Sequence, residues 1–122
     1  MYRAVMLLLA ASCASAHEMT PTYPKFTPAY IDGVVKTQME MFNKRQDVEY
    51  YEVGVFDEEW RPVPFVSSYK LFRLKYLGHV KFDIYVRRDD ADRVEYICSQ
   101  SKVRGEKHAQ SLLASRICSR VK

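Results

Sequence analysis

Apolar and polar residues alternate through the middle of the chain, and this alternation predicts β-strands. Over residues 80–87 the apolar side chains recur at every second position, at Val80, Phe82, Ile84 and Val86. A period of two places successive side chains on opposite faces of a strand. After a charged turn, the run VEYICSQ resumes the pattern with Val94, Tyr96 and Cys98 on one face. The two runs therefore predict two strands joined by a turn.

The same alternation occurs in residues 34–42. One face of this segment would carry Val35, Thr37, Met39 and Met41. The residue types of TQMEMFNKR also suit a helix, which stays the alternative, but the alternation and the β-branched start favour a strand.

Two more strands are predicted between these runs. Residues 48–56 place Tyr51, Val53 and Val55 on one face, with a bulge at Gly54. A short strand lies within residues 66–77. Strands at intervals of roughly ten residues, separated by turn residues, are typical of an all-β sandwich or barrel.

Prolines mark two segments that cannot be central strands, because proline donates no main-chain hydrogen bond. Residues 17–33 contain three prolines and are predicted to form an extended arm or an edge strand. Residues 60–65, WRPVPF, contain two and belong at an edge or in a crossover. We expect Trp60, the largest apolar side chain of the segment, in the core or capping one end of it.

Two cysteines predict a disulfide. Cys98 lies on a predicted strand and Cys118 in the last segment, with 19 residues between them. Residues 111–122, SLLASRICSRVK, fit a last strand or a short helix, and a bond to Cys98 favours the strand, because adjacent strands bring cysteines within bonding distance. In an exported chain such a pair is usually structural.

The first sixteen residues, MYRAVMLLLAASCASA, have the features of a secretory signal peptide. Cleavage after Ala16 would make His17 the first residue of the mature chain. The apolar core is too short to span a bilayer, and no second apolar run long enough for a membrane helix follows. Alternatively, Cys13 follows three small residues, as in a lipoprotein signal, and its acylation would anchor the protein to a membrane.

Charge and motifs argue against two classes of function. The net charge is +4, with basic and acidic residues interleaved, whereas nucleic-acid-binding proteins normally concentrate positive charge on one face or tail. The chain has no G-x-S-x-G, H-E-x-x-H or Cys-x-x-Cys motif and no phosphate-binding loop. We therefore expect neither a nucleic-acid partner nor an enzyme.

His17 carries one alternative function. As the first residue of a mature chain, its amino group and imidazole could bind one copper ion, and His79 or His108 would complete the site. Small periplasmic copper-binding β-sandwiches are similar at their first residue.

Residues 42–103 carry a series of features in a fixed order. These features are a polar turn, Asn43-Lys44; the pair Pro64-Phe65; the element Phe72-Arg73-Leu74; and Gly78 before the run VKFDIYV. In them the chain resembles the N-terminal immunoglobulin-like domain of periplasmic chaperones of the chaperone/usher pilus system. The resemblance implies a single immunoglobulin-like antiparallel β-sandwich over residues 34–122. Some of these chaperones also have a disulfide between the last two strands of this domain, where Cys98 and Cys118 would lie.

The resemblance also implies a way of binding. In this family an edge strand with alternating apolar residues is lent to an incomplete subunit, which is β-strand addition. Here residues 111–121 would be that strand, and its partner-facing side chains would be Leu113, Ser115, Ile117 and Val121. For the family's basic pair, which binds a terminal carboxylate, the only nominal counterparts are Lys25 and either Arg116 or Arg120.

The sequence therefore predicts an exported, non-catalytic protein-binding module of the periplasm or cell envelope, chaperone-like in its use of strand addition. Tyrosine has an apolar ring and a polar tip, so it suits surfaces that receive a partner, and Tyr50, Tyr76 and Tyr85 are expected there. The alternatives are a copper-binding protein that uses His17, an envelope lipoprotein, and an accessory or virion protein encoded by a phage.

Overall fold

The computed structural model describes residues 17–102 and 115–121. Within these ranges the chain forms eight strands and one short helix: β1 (Glu18–Thr20), β2 (Thr27–Pro28), β3 (Val34–Phe42), β4 (Tyr50–Phe56), β5 (Leu71–Arg73), β6 (His79–Arg87), α1 (Arg88–Ala91), β7 (Tyr96–Lys102) and β8 (Arg116–Arg120). The predicted all-β class is confirmed, and residues 34–42 form a strand throughout, so the helical alternative for them is wrong.

The strands form two antiparallel sheets that pack face to face. In the first sheet, β3 pairs with β6 along its whole length, and the short strands β1 and β2 both pair with the other side of β3. The second sheet has the order β5-β4-β7-β8. The result is the predicted antiparallel sandwich, in which β8 is the outermost strand of its sheet.

On β3, β4 and β6 every buried side chain is one of those that were predicted to share one face. Along β3 the buried side chains are those predicted, Val35, Thr37, Met39 and Met41. On β4 they are Tyr51, Val53 and Val55, and on β6 they are Phe82, Ile84 and Val86. These side chains fill the space between the sheets, where each removes apolar surface from water.

On β7 the alternation read from the sequence gives the wrong face as the core-facing one. Ile97 and Ser99 face the core, so Tyr96 and Cys98 lie on the outer face. Cys98 forms the predicted disulfide with Cys118, the residue opposite it on β8.

Asn43 is a buried polar residue that connects three segments. Its side-chain amide donates to the carbonyls of Val48 and Leu74, each at 2.8 Å. Its side-chain oxygen accepts from the Arg45 N–H at 2.8 Å and from the Tyr51 hydroxyl at 2.6 Å. Burial raises the pKa of Tyr51 to about 12, so the hydroxyl stays protonated and donates. Asn43 thereby fixes the end of β3, the turn into β4 and the turn after β5.

Residues 62–66 cross from one sheet to the other, as their prolines predicted. The Val63 N–H donates to Val55 on β4 at 2.8 Å, and Val66 then pairs with Tyr85 on β6. β5 pairs with β4 only from Tyr50 to Glu52, so among the described residues the rest of this edge of the second sheet has no regular strand beside it.

Two predictions in this region are wrong. Trp60 is 47 % exposed and stacks on Tyr96 on the outer face of the second sheet, because its turn places Val63 in the core instead. Gly54 forms no bulge, since β4 and β7 pair in unbroken register from Tyr50 to Phe56. The Phe56 ring packs over this glycine: a Cβ atom here would lie 2.8 Å from the ring, which would have to shift.

In the described ranges, no helix is long and apolar enough to cross a membrane.

We predict that Asn43→Leu lowers the free energy of unfolding by about 3 kcal/mol, because buried carbonyl and N–H groups lose their partners. Urea unfolding measures this. Gln46→Leu, at an exposed position of the same turn, is the control and should change the value by less than about 0.5 kcal/mol. Equal effects of the two substitutions would contradict the role given to Asn43.

Candidate functional site

The outer edge of β8 is the first feature of the candidate site. The Ser101 N–H donates to Ser115, and the Val121 N–H donates to Glu95. Because main-chain groups alternate in direction along an antiparallel strand, the residues between, Arg116, Cys118 and Arg120, direct their N–H and C=O groups away from β7. Within the described ranges no strand pairs with this edge.

Residues 17–22, the first part of the predicted extended segment 17–33, run beside β8. From here on, the arm means residues 17–22. β1 pairs with β3 in the first sheet, and the Thr22 carbonyl then accepts a hydrogen bond from the Arg120 N–H at 3.0 Å in the second sheet. The arm therefore connects both sheets, and it meets the edge of β8 through this one main-chain hydrogen bond among the described residues.

His17 fastens the other end of the arm. Its ring is 1 % exposed, with Nε2 2.7 Å from the Ser99 hydroxyl and Nδ1 3.2 Å from the Ser115 hydroxyl. The ring also contacts Tyr51, with centroids 4.8 Å apart. Burial lowers the pKa of His17 to about 4; the nearby Arg45 charge lowers it too, and the hydrogen bond with Ser99 opposes both. The imidazole is therefore neutral at pH 7, with one nitrogen donating and the other accepting.

The inner face of β8 carries two of the predicted partner-facing residues. Ile117 and Val121 are half-buried and pack against the core at the rim of the sandwich. Ser119, between them on the same face, is buried. Of the other two predicted residues, Ser115 lies with its hydroxyl 3.2 Å from His17 Nδ1, and Leu113 lies outside the described residues.

The outer face of the second sheet carries an aromatic cluster around Arg116. The Arg116 guanidinium lies 4.8 Å from the Phe56 ring centroid and 4.7 Å from that of Trp60. Trp60 and Tyr96 stack with centroids 4.1 Å apart and planes 2° apart. Stacking of a guanidinium on aromatic faces leaves its in-plane N–H donors accessible.

The turn before Trp60 is built by Asp57. The Asp57 carboxylate accepts hydrogen bonds from the main-chain N–H groups of Glu59 and Arg61, each at 2.9 Å. The bond from the Arg61 N–H is the main reason that the pKa of Asp57 lies below its usual value. Trp60 itself adopts a φ of 63°, which non-glycine residues rarely do. The turn thus holds a large aromatic side chain on the sheet surface.

The nominal counterparts of the basic pair differ in their surroundings. The Arg120 Nε donates to Glu95 at 2.9 Å, so this charge is already neutralised. Lys25 is exposed on the segment after the arm. Arg116 has no carboxylate partner among the described residues, but its guanidinium is engaged with the aromatic cluster.

The three tyrosines expected at a partner surface lie apart. Tyr50 is on the outer face of the second sheet, Tyr85 is on the outer face of the first, and Tyr76 is in the turn between β5 and β6. They do not form one surface, because the order of the strands separates them.

The copper hypothesis stays a prediction. Both ring nitrogens of His17 are within hydrogen-bonding distance of serine hydroxyls. His79 stacks on Phe42, with centroids 4.1 Å apart, and its Nδ1 is 3.6 Å from Glu40. His108 and Cys13 lie outside the described residues, and across residues 17–102 and 115–121 no group of three His, Cys, Asp or Glu side chains is arranged to hold a metal.

The alternation of the sequence does not predict the serines that cluster at His17. Ser99 and Ser101 occupy core positions of β7, and Ser101 Oγ accepts from the Ser115 N–H at 2.7 Å. The alternation gives no signal for them, because it marks the face of Val94, Tyr96 and Cys98 as the apolar one and so places both serines on the polar face.

Comparison with known proteins identifies relatives by fold alone. No protein-family model matches the chain, and no curated protein matches it. Fifteen chains of solved structures match. One is the crystal structure of the E. coli chaperone DraB, with a TM-score of 0.64 and 21 % sequence identity.

The alignment with DraB covers 87 % of this chain and 53 % of that one, so this chain spans about half the length of the chaperone. At this level of identity the similarity concerns the fold. The resemblance to pilus chaperones drawn from the sequence is confirmed to that extent.

We predict that His17 makes stability depend on pH. Its folded pKa of about 4 lies below the ordinary value of 6.5, so between these values the unfolded chain binds a proton that the folded chain does not. The contribution of His17 to the free energy of unfolding is therefore fully present above pH 6.5. It falls, by on the order of 2 kcal/mol, as the pH drops to 4. In His17→Gln this loss should be absent. Urea unfolding of both proteins at pH 7 and pH 4.5 tests it, and parallel pH profiles would contradict the assignment.

Proposed function

We propose that the protein is an exported, non-catalytic, protein-binding module of the periplasm or cell envelope. It binds an extended segment of another protein, chaperone-like, by adding that segment as a strand beside β8. The fold shared with the chaperone DraB supports this proposal.

The observation that carries the proposal is the row of outward main-chain groups at Arg116 and Cys118. A partner strand would pair with these N–H and C=O groups, and each hydrogen bond contributes about 1 kcal/mol. Such bonds give affinity for any extended segment, whereas side-chain contacts give specificity. Ile117 and Val121 supply apolar contacts at the adjoining rim.

The disulfide prepares β8 for this role. Cys98 and Cys118 lie opposite each other, with Cα atoms 4.0 Å apart, in the middle of the paired stretch. The bond holds β8 against β7 when nothing pairs with its outer edge. A preformed strand loses less conformational entropy on binding than a mobile one, which favours affinity.

The arm bonds to the main chain of β8 at one end of its outer edge. Its main-chain bond to β8 is at Arg120, the last residue of the strand. A partner that pairs with Arg116 and Cys118 either ends before Thr22 or displaces one hydrogen bond, at a cost of about 1 kcal/mol.

Export is supported by the disulfide and by the first sixteen residues. Structural disulfides persist in oxidising compartments, and the N-terminal sequence is typical of a secretory signal.

We predict that mass spectrometry of the purified mature protein finds His17 as the first residue and no free thiol at Cys98 or Cys118. An acylated Cys13 would instead establish the lipoprotein alternative, and an intact Met1 with two free thiols would contradict export.

We predict that Arg116→Pro abolishes partner binding while the protein still folds. The substitution removes an outward N–H, and proline is tolerated on an edge strand whose N–H faces solvent. The control is Arg116→Ala, which removes the stacked guanidinium but keeps the N–H. Affinity capture from envelope extracts, with bound proteins identified by mass spectrometry, should recover a partner with the wild type and Arg116→Ala only.

Hydrogen exchange then checks the mode of binding. The amides of Arg116 and Cys118 should become protected in the complex, while those of Ile97 and Ser99, inside the ladder, change little. A partner that binds Arg116→Pro as well as wild type, or that leaves the two outward amides unprotected, would disprove strand addition at β8.

A further inference from the structure

The protein has an apolar hollow at the edge of the sandwich away from the arm. We call it the crossover hollow; its volume is about 180 Å³ and it is lined by Val34, Pro64, Phe65, Val66, Tyr85, Val86 and Arg87. β8 and the arm lie at the β1 side of β3, whereas the hollow lies at the β6 side.

The crossing of residues 62–66 creates the hollow. The segment is bonded to β4 at Val63 and to β6 at Val66, and Pro64 and Phe65 bridge the gap between the sheets. Regular pairing ends at the single bridge between Val66 and Tyr85. The space that a longer edge strand would fill therefore stays open.

An exposed apolar side chain lines the hollow, and two others lie in the turn that leads into the lining residue Val34. Val66, in its wall, is 67 % exposed. Tyr30 and Ile31, in the turn that leads into Val34, are fully exposed and 68 % exposed, respectively. Adjoining exposed apolar groups mark interaction sites more often than scattered ones do.

Three cationic side chains near the hollow lack carboxylate partners among the described residues. Arg87 forms part of the lining, Lys36 is paired with Tyr85 across the strands, and the Lys70 ammonium lies 4.7 Å from the Phe65 ring centroid. Asp83, on the same face as Tyr85, accepts a hydrogen bond from the Tyr85 hydroxyl at 3.3 Å. Elsewhere the arginines are commonly paired, as Arg45, Arg73, Arg93 and Arg120 are.

We propose that the crossover hollow binds one apolar side chain from an acidic segment of another protein. Its volume is below the roughly 300–1,000 Å³ of sites for drug-sized ligands, so it suits a single leucine-sized side chain. The surrounding cations favour carboxylates beside that side chain. The inference does not depend on strand addition at β8, and both edges can be occupied at once.

The test uses blocked pentapeptides and the isotope-labelled full protein in NMR titrations. The probe has one leucine between two pairs of acidic residues; one comparison peptide has alanine for leucine and another has lysines for the acids. We expect the acidic leucine peptide to shift the amide signals of Val66 and Arg87 saturably. The two comparison peptides should bind at least roughly tenfold more weakly, because each lacks either the apolar or the charge contact.

Two variants and a matched control locate the site. Val66→Asp and Arg87→Glu should each weaken binding of the acidic leucine peptide by about tenfold or more. Leu77→Asp is the control, because Leu77 is also exposed, at 55 %, but precedes His79, at the opposite end of β6 from Arg87, and it should leave binding unchanged. Equal binding of all three peptides, the absence of saturable shifts, or an equal effect of Leu77→Asp would overturn the proposal.

Discussion

The register of β8 on β7 is the constraint on which the binding edge depends. Side chains alternate with a period of exactly two, so a slip of one residue would turn every side chain of β8 to the opposite face. The Cys98–Cys118 bond prevents such a slip, because it joins the two residues that lie opposite each other. This register directs Ile117 toward the core, places Arg116 on the aromatic face and brings Ser115 to His17.

Buried polar groups give the sandwich its specificity, and each of them is satisfied. In the described ranges no buried side-chain nitrogen or oxygen lacks a hydrogen-bond partner. Asn43 organises one end of the core, where three segments meet, while His17 ties the arm to the last two strands. Apolar packing alone would tolerate many arrangements of such strands, whereas an unpaired buried polar group is costly. The two hydrogen-bonded residues therefore help to select one arrangement.

Local periodicity predicted the strands and the inward faces of β3, β4 and β6, because burial between two sheets enforces it, whereas on β7 it marked the outer face of Tyr96 and Cys98 as the apolar one. The failures come from turn geometry and from long-range contacts. Trp60 lies outside the core because Asp57 shapes a turn with a left-handed backbone, which no hydrophobic count reveals. Tyr50, Tyr76 and Tyr85 looked alike in sequence, but strand order distributes them over separate surfaces. His17 meets Ser99 and Ser115 across separations of 82 and 98 residues, and a single sequence gives no direct sign of such contacts.

The contact between the arm and β8 also bears on when the chain can fold. The first described segment is completed by the last one, so contact order is high and the native sandwich cannot close until the carboxyl-terminal strand has been synthesised. During synthesis the arm has neither its serine partners nor the Arg120 amide. The two ends of the described fold therefore take their final positions together, once the last strand is available.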